Sequence, residues 1–336
     1  MPVHFLPAAP AALVDDQGRV HFGQYAGHPA QIDWSGLPPA LRRSRLWRHF
    51  HHKRWQYVAL ASEEVFCGIA IVDVGWTNTA FAYAFDRRQR KLVAGFSQDG
   101  LPGLSARLDA RPAAGAASHF RLLGKRIDYR QVPDSRLYRL AVQCGDFKIA
   151  AEFDAQQAPP CLLAVGAVDG GGVHATVKSS AMPVRGSVSA GARVYDLDGG
   201  VASFDHSNGF LARDTAWRWA SAHSAELGFN LQAGYFGNHE NALWLDGRLI
   251  ALGAAHFDFD PAAPLAPWHI YTADGLLDLQ FQPEGCRAEN KNLLVAASRY
   301  VQPIGSFSGW VKASADARPR RVEQLVGVTE DHRSRW

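Results

Sequence analysis

The sequence predicts an all-β protein made of many short antiparallel strands, arranged as a sandwich or as barrels. Alternation of apolar and polar residues with period two runs through most of the 336 residues, as expected for strands that bury one face. Asp-Gly pairs at 246–247 and 274–275 separate alternating runs, which is a strong hairpin signal. Glycine at 31 positions fits a chain with frequent turns.

The strand candidates follow one another closely along both halves of the chain. The first three are separated by very short connections and therefore predict a meander. The candidates are residues 55–62, 65–74, 80–85, 120–123, 137–142, 147–153 and 162–165, and then 242–245, 255–259 and 276–281.

Residues 38–50 break this pattern and predict one short helix packed on, or plugging, a sheet. Its two leading prolines suit a helix N-terminus, and Leu46, Trp47 and Phe50 fall near one helical face. The basic run continues to residue 54. Residues 42–54 then either make a weak contact with an acidic membrane surface or form a solvated face.

Small residues and a proline at 179–186 favour a domain boundary there. We therefore predict one domain over residues 1–185 and a second over 186–336. The pair Arg54-Trp55 is echoed by Arg218-Trp219, and each pair precedes spaced glycines and an asparagine. The echo indicates either a duplicated barrel or a chance similarity.

Composition and missing motifs narrow the function. The 35 basic and 32 acidic residues nearly balance, which argues against nucleic acid as a partner. No apolar run is long enough for a membrane span, and we expect a cytoplasmic protein. The scattered residues Cys67, Cys144, Cys161 and Cys286 indicate neither zinc nor disulfides. The sequence also lacks a dinucleotide or phosphate-binding glycine loop, so we expect no cofactor and no metal.

Residues 204–223 contain the densest cluster of chemically capable side chains. Asp205 and His206 are suited to general acid/base work. Trp217 and Trp219 are two apart, so on a strand they face the same side and line a pocket or cover a cation. The alternative is a strand end capped by Asp205, with the tryptophans in an ordinary core.

A second group lies at residues 230–241. Asn230 and Tyr235 precede Glu240, which is either a turn residue or a rim carboxylate that faces a cavity. Lys178 is an isolated polar residue next to an apolar run, a pattern that by itself indicates surface exposure.

Several longer motifs resemble the bacterial DUF2804 family over nearly the whole chain. They are Arg54-Trp-Gln-Tyr-Val, Ile71-Val-Asp-Val-Gly75, Val177-Lys-Ser, Asp205-His-Ser-Asn-Gly209, Trp217-Arg-Trp-Ala-Ser221, Gly228-Phe-Asn-Leu231, Glu240-Asn241 and Gly327-Val-Thr-Glu-Asp-His332. That family is similar to a wider group with two lipocalin-like (calycin-type) barrels, which includes carotenoid 1,2-hydratases, AttH-like proteins, tocopherol cyclases and fungal survival factor proteins. The resemblance implies two such barrels in succession and a hydrophobic ligand. The hydratases and cyclases of that group protonate an alkene without an organic cofactor.

Three functions remain open at this point. In the first, an enzyme hydrates, cyclises or isomerises a lipophilic, unsaturated molecule in a barrel cavity or between barrels. Asp205 or Glu240 donates the proton and His206 tunes it, while Trp217, Trp219 and Tyr235 stabilise positive charge.

The second function is a carrier of lipids or isoprenoids, in which Arg54 or Lys178 meets a polar head group. In both of these functions Asn230 joins the ligand-binding residues. The third function is an architectural protein with filled barrels and no cavity.

Overall fold

The computed structural model describes residues 6–292 and 296–336. Over these residues the chain forms two antiparallel sheets, each curled into a barrel-like shape, and one short helix. The predicted all-β class with two consecutive barrels is confirmed.

The first sheet has fifteen strands: β1 Gly23–Ala26, β2 His52–Ala61, β3 Val65–Asp73, β4 Asn78–Asp86, β5 Lys91–Gly100, β6 Ala106–Arg107, β7 Ala117–Leu122, β8 Lys125–Gln131, β9 Leu137–Cys144, β10 Phe147–Asp154, β11 Leu162–Ala167, β12 Val173–Lys178, β13 Met182–Ala190, β14 Arg193–Asp196 and β15 Gly200–Phe210. Their order is β5-β4-β3-β2-β15-β13-β10-β9-β8-β7-β6. A side branch β12-β11-β1 begins at β15, and β14 pairs with β13. The predicted meander is its β2-β3-β4 section.

The second sheet has nine strands in the order β19-β18-β17-β16-β24-β23-β22-β21-β20. Its strands are β16 Asp214–His223, β17 Leu227–Gly234, β18 Ala242–Leu245, β19 Arg248–Ala251, β20 Ala255–Asp258, β21 Trp268–Thr272, β22 Leu277–Asn292, β23 Ala297–Val311 and β24 Arg320–Arg335. The last strand of the chain, β24, therefore pairs with β16, which is the first strand of this sheet in the sequence. This pair lies near the centre of the strand order.

The chain passes from the first sheet to the second at residues 211–213. Strands β13 to β15 belong to the first sheet. In particular, β15 pairs with β2 over ten residues and with β12 over five. The division into domains at residue 185 stays a prediction, and the hydrogen-bonded sheets themselves divide after Phe210.

Both Asp-Gly pairs form hairpin turns as predicted. Asp246 and Gly247 connect β18 to β19 directly, with φ angles of 49° and 77°. Two successive positive φ angles define a type I′ turn, whose twist matches that of the flanking strands. Gly275, at φ 66°, lies in the connection between β21 and β22.

The helix is shorter than the predicted span 38–50. Helix α1 covers Arg45–His51 and begins after Ser44, whose side chain accepts a hydrogen bond from the Trp47 amide. Residues 38–42 instead form turns on the carbonyl of Pro38. Trp47 stacks on His51 and touches Phe210, but Leu46 is 70% and Phe50 48% exposed. Of the predicted apolar face, only Trp47 is even partly buried, packed against the core of the first sheet.

Five apolar clusters organise the packing of the described residues. Each sheet has its own core, and three smaller clusters combine residues from both sides. In one of these, Tyr57 and Tyr83 of the first sheet meet Trp219, Ile304 and Val328 of the second. The described residues contain no helix with the length and apolarity that crossing a bilayer requires.

Candidate functional site

A cavity of about 120 Å³ lies between the facing surfaces of the two sheets. The first sheet contributes residues of β2, β3, β4, β12 and β15, and the second contributes β16, β17, β23, β24 and the loop after β17. Much of its wall is aromatic, with rings from Trp55, Tyr57, Phe81, Trp217, Trp219, Tyr235, Tyr300 and Trp336. The cavity is thus made by both sheets together.

Lys178, Asp205 and Glu240 form a buried charged cluster in this wall. The Lys178 Nζ lies 2.5 Å from Asp205 Oδ2 and 3.1 Å from Glu240 Oε2. The Lys178 and Glu240 side chains are each 4% exposed and that of Asp205 is 11% exposed. Lys178 and Asp205 are direct partners across β12 and β15, so strand register fixes this ion pair.

The two carboxyl groups of this cluster have different surroundings. Asp205 accepts hydrogen bonds from Trp55 Nε1 at 3.3 Å and from the hydroxyls of Thr176 and Ser207 at 3.1 Å each, besides Lys178. Among the described residues, the Lys178 ammonium is the only group that forms an ion pair with the Glu240 carboxyl group. Donors stabilise an ionised carboxylate, so Asp205 is the better solvated of the two.

These surroundings determine the protonation of the cluster. Burial raises the pKa of the Glu240 carboxyl against the attraction of Lys178, and the nearby Asp205 and Glu330 carboxylates raise it further. Burial lowers the pKa of Lys178, but the charges of Asp205 and Glu240 outweigh burial, and the net pKa is raised. The ammonium therefore stays charged.

A second polar group is centred on Glu330. Its Oε1 accepts from Trp217 Nε1 at 2.8 Å and lies 3.4 Å from His332 Nδ1, and its Oε2 accepts from Gln302 Nε2 at 3.2 Å. The Nε2 of His332 lies 2.9 Å and 2.8 Å from the hydroxyls of Ser298 and Ser334. Every polar atom of this group thus has a protein neighbour, which fixes the Trp217 ring in the wall.

Gln232 is a polar wall residue of a different kind. Its side chain is 1% exposed, and neither its amide nitrogen nor its amide oxygen has a hydrogen-bond partner among the described residues. A buried polar group without a partner is costly. Gln232 is therefore available to a polar group on a molecule that enters the cavity.

The structure brings many of the proposed site residues to this cavity. Asp205, Glu240, Lys178, Trp217, Trp219 and Tyr235 all line it. The Tyr235 hydroxyl is 3.4 Å from His174 Nε2, and burial lowers the pKa of His174 to about 3. Their roles in binding or catalysis stay predictions.

His206 lies on the opposite face of β15 from Asp205. Successive residues of a strand face opposite sides, so His206 points into the first sheet's interior, with its Nδ1 3.0 Å from Gln56 Oε1. Burial lowers the pKa of His206 to about 4. This neutral, enclosed imidazole does not line the cavity.

Asn230 and Arg54 are also outside the cavity wall. Asn230 lies behind it, where its Oδ1 accepts from Trp219 Nε1 and its Nδ2 donates to the Glu240 carbonyl, each at 2.8 Å. It therefore positions two wall residues. Arg54 faces the interior side of β2 and pairs with Asp73 at 2.5 Å.

The sequence interpretation missed four polar or charged wall residues. They are Gln232, Gln302, Glu330 and His332. Glu330 and His332 are within the motif at 327–332, and they reach the site because β24 pairs with β16, more than 100 residues earlier in the chain. The described residues contain no group of three His, Cys, Asp or Glu side chains that could hold a metal ion.

A family model described as "domain of unknown function (DUF2804)" matches residues 7–336. The chain belongs to the DUF2804 family. No curated protein matches the sequence.

Several solved structures share the fold of this DUF2804 protein. The structure of CghA with Sch210972 has a TM-score of 0.58 at 10% identity, covering 85% of this chain and 89% of that one. The AttH-like protein NE1406 of Nitrosomonas europaea has a TM-score of 0.54 at 13% identity, covering 88% and 98%. Kievitone hydratase of Nectria haematococca has a TM-score of 0.51 at 9% identity, covering 94% and 98%. At these identities the likeness concerns the fold.

Proposed function

We propose that this protein is an enzyme that binds a largely apolar, unsaturated small molecule between its two sheets and protonates it from Glu240. The reaction is a hydration, cyclisation or isomerisation that uses side chains of this chain alone. Of the two candidate acids, we propose Glu240 rather than Asp205, because the surroundings of the two carboxyl groups differ.

One observation carries the proposal: a single buried ammonium lies between two buried carboxyl groups. Lys178 neutralises one negative charge, and Asp205 is the carboxylate with four donors around it. A second negative charge in the same enclosed space is unfavourable. Glu240 therefore keeps its proton at neutral pH, as a general acid must before it can donate.

The aromatic wall supports the same chemistry. Transfer of the Glu240 proton to one carbon of a C=C bond leaves a cation at the other carbon and a carboxylate on Glu240. Trp219 lies near this site, with Tyr57 edge-on to it at 5.7 Å and its own ring 6.0 Å from Lys178 Nζ. Ring faces attract positive charge most strongly where water is excluded.

The catalytic cycle then needs no reagent other than the substrate and, in a hydration, water. In a hydration, water adds to the cation and its extra proton returns to the Glu240 carboxylate. In a cyclisation the substrate's own hydroxyl adds to the cation, and in an isomerisation a neighbouring carbon loses a proton. In both cases the released proton returns to the Glu240 carboxylate. Lys178 and Asp205 stay ion-paired throughout and position Glu240.

The solved structures with this fold support an enzyme in general terms. One of them is named kievitone hydratase, and another contains the small molecule Sch210972. We transfer no residue role from either protein.

The proposal is tested by deuterium incorporation. Farnesol, geranylgeraniol and oleic acid are incubated with the protein in D₂O, and products are analysed by mass spectrometry. A substrate gains deuterium at carbon with the unaltered protein, and Glu240→Gln lowers the rate about 10³-fold, within the usual range for a general acid. His206→Gln is the matched control, since His206 is buried nearby without lining the cavity, and should leave the rate unchanged.

Binding is followed separately by quenching of tryptophan fluorescence, because Trp217 and Trp219 line the cavity. Quenching by a probe that gains no deuterium with any variant favours the carrier alternative over catalysis. Equal rates for Glu240→Gln and the unaltered protein would show that Glu240 is not the acid.

A further inference from the structure

Exposed large apolar side chains concentrate at one end of the first sheet. Five of the nine such side chains among the described residues are there, with exposed fractions of 70% for Leu46, 48% for Phe50, 52% for Leu101, 79% for Leu104 and 76% for Leu123. Helix α1, the turn after β5 and the tip of the β7–β8 hairpin carry them. We call this the helix end of the first sheet.

Hydrogen bonds connect helix α1 with the neighbouring strand turn. The Nζ of the fully buried Lys53 donates to the carbonyls of Phe50 at 2.6 Å and Val74 at 2.7 Å. Val74 begins the β3–β4 turn, and Asn78, at the far side of that turn, donates to the Leu101 carbonyl at 2.9 Å. The helix and the Leu101 turn are therefore fixed to the same end.

The hairpin tip is linked to the Leu101 turn in the same way. Ala106 pairs with Phe120 across β6 and β7, and the Arg121 amide donates to the Ser105 carbonyl at 2.8 Å. Leu104 and Leu123 therefore lie at the ends of two adjacent chain segments. The exposed side chains form one group of protruding tips.

Leu123 occupies a backbone position that disfavours leucine. It has φ 48° and is followed by Gly124 at φ 74°, in a two-residue turn between Leu122 and Lys125. Such turns prefer Asn, Asp or Gly at this first position, and the equivalent turn between β18 and β19 has Asp246 there. A leucine that is both strained and exposed contributes little to folding.

The chain segments that carry these side chains are basic in net charge. The stretches 36–62, 101–108 and 119–127 contain no acidic residue. Arg121 and Arg126 pair with Asp128, yet their side chains remain 57% and 55% exposed. The basic residues of the three stretches, apart from buried Lys53 and from Arg54, which pairs with Asp73, are Arg42, Arg43, Arg45, Arg48, Arg107, Arg121, Lys125 and Arg126.

We propose that the helix end of the first sheet docks on an anionic lipid surface. Separate leucine tips can enter the headgroup layer individually, while the basic side chains around them meet lipid phosphates. Residues 42–54 supply one part of this surface, and the two leucine turns supply the rest. None of the five apolar tips lines the cavity between the sheets, so this surface is independent of the proposed chemistry.

The test is co-sedimentation with vesicles of equal parts phosphatidylserine and phosphatidylcholine, compared with vesicles of phosphatidylcholine alone. We expect binding to the first kind and much weaker binding to the second. Leu123→Asn should weaken binding about tenfold, the effect of removing one buried leucine side chain. Leu265→Asn is the matched control, since Leu265 is 53% exposed on the second sheet's side of the chain, and should bind like the unaltered protein.

Folding and self-association are measured on the same samples. Asn suits the turn, so Leu123→Asn should unfold at the same temperature as the unaltered protein or a higher one. Absence of binding to the phosphatidylserine vesicles by folded protein overturns the proposal. The proposal is also overturned if sedimentation velocity shows a dimer that Leu123→Asn dissociates and the protein does not bind the vesicles. The partner of this surface is then a second copy of the chain. Either failure leaves the deuterium test of Glu240 unaffected.

Discussion

The two faces of strand β15 bury polar groups in different ways. On the face toward the second sheet, Asp205 shares Lys178 with Glu240 beside a cavity. On the interior face, His206 contacts Gln56, and Asn208 accepts from Trp34 Nε1 at 3.2 Å and lies 2.7 Å from His52 Nε2. The first group has two carboxyl groups for one ammonium, whereas burial keeps the imidazoles of the second neutral.

This difference separates a candidate reactive site from structural packing. Burial alone does not distinguish the faces, since His206 is 1% and Glu240 3% exposed. The cavity face has an excess carboxyl group, the unpartnered amide of Gln232 and space for a molecule. These three features are the ones from which we infer function.

The largest stability effect should come from the buried ion pair of the cavity face. Lys178→Met leaves Asp205 without its cation and should lower the free energy of unfolding by about 3 kcal/mol or more. Arg54→Met removes an interior-face partner from Asp73, but these side chains are 29% and 18% exposed, and we expect about 1 kcal/mol. Urea denaturation measures both, and equal losses would contradict the distinction between the faces.

The pH dependence of stability should reveal the enclosed histidines. Burial lowers the pKa of His206 to about 4 and that of His223 to about 3, from 6.5. The folded state thus favours neutral imidazole, so this stability is complete above pH 6.5 and is lost as pH falls toward 4. Each histidine contributes a slope of about 1.4 kcal/mol per pH unit.

His206→Gln should make the fall of stability between pH 6.5 and pH 4 shallower by one such contribution. Unfolding followed by circular dichroism across this range provides the measurement. An unchanged slope would mean that His206 is solvated in the folded protein.

Two glutamines provide the smallest and most local comparison. Gln56→Leu removes the contact with His206 and should destabilise the protein by about 1 kcal/mol. Gln232→Leu removes an amide without partners among the described residues and should leave stability unchanged or raise it. If Gln232→Leu proves the more costly change, the amide has a partner in solution and is not free for a ligand.

The sequence predicts the fold because alternation and Asp-Gly turns are local signals. The same alternation places Trp217 and Trp219 together, and it also places His206 opposite Asp205, so pairing these neighbours as one acid/base unit was inconsistent with a strand. Glu330 joins the site through pairing across the second sheet, and local periodicity carries no such information. The predicted helix start at residue 38 was wrong, because Ser44 caps the helix and is a stronger N-terminal signal than the prolines at 38–39.

Protonation of Glu240 at neutral pH is tested most directly by infrared spectroscopy. A protonated carboxyl group has a C=O stretching band separate from the bands of carboxylates, and the band shifts in D₂O. We expect this band at pH 7 in the unaltered protein and its loss in Glu240→Gln. No such band at pH 7, or a band that survives in Glu240→Gln and disappears in Asp205→Asn, would contradict the assignment of Glu240 as the acid.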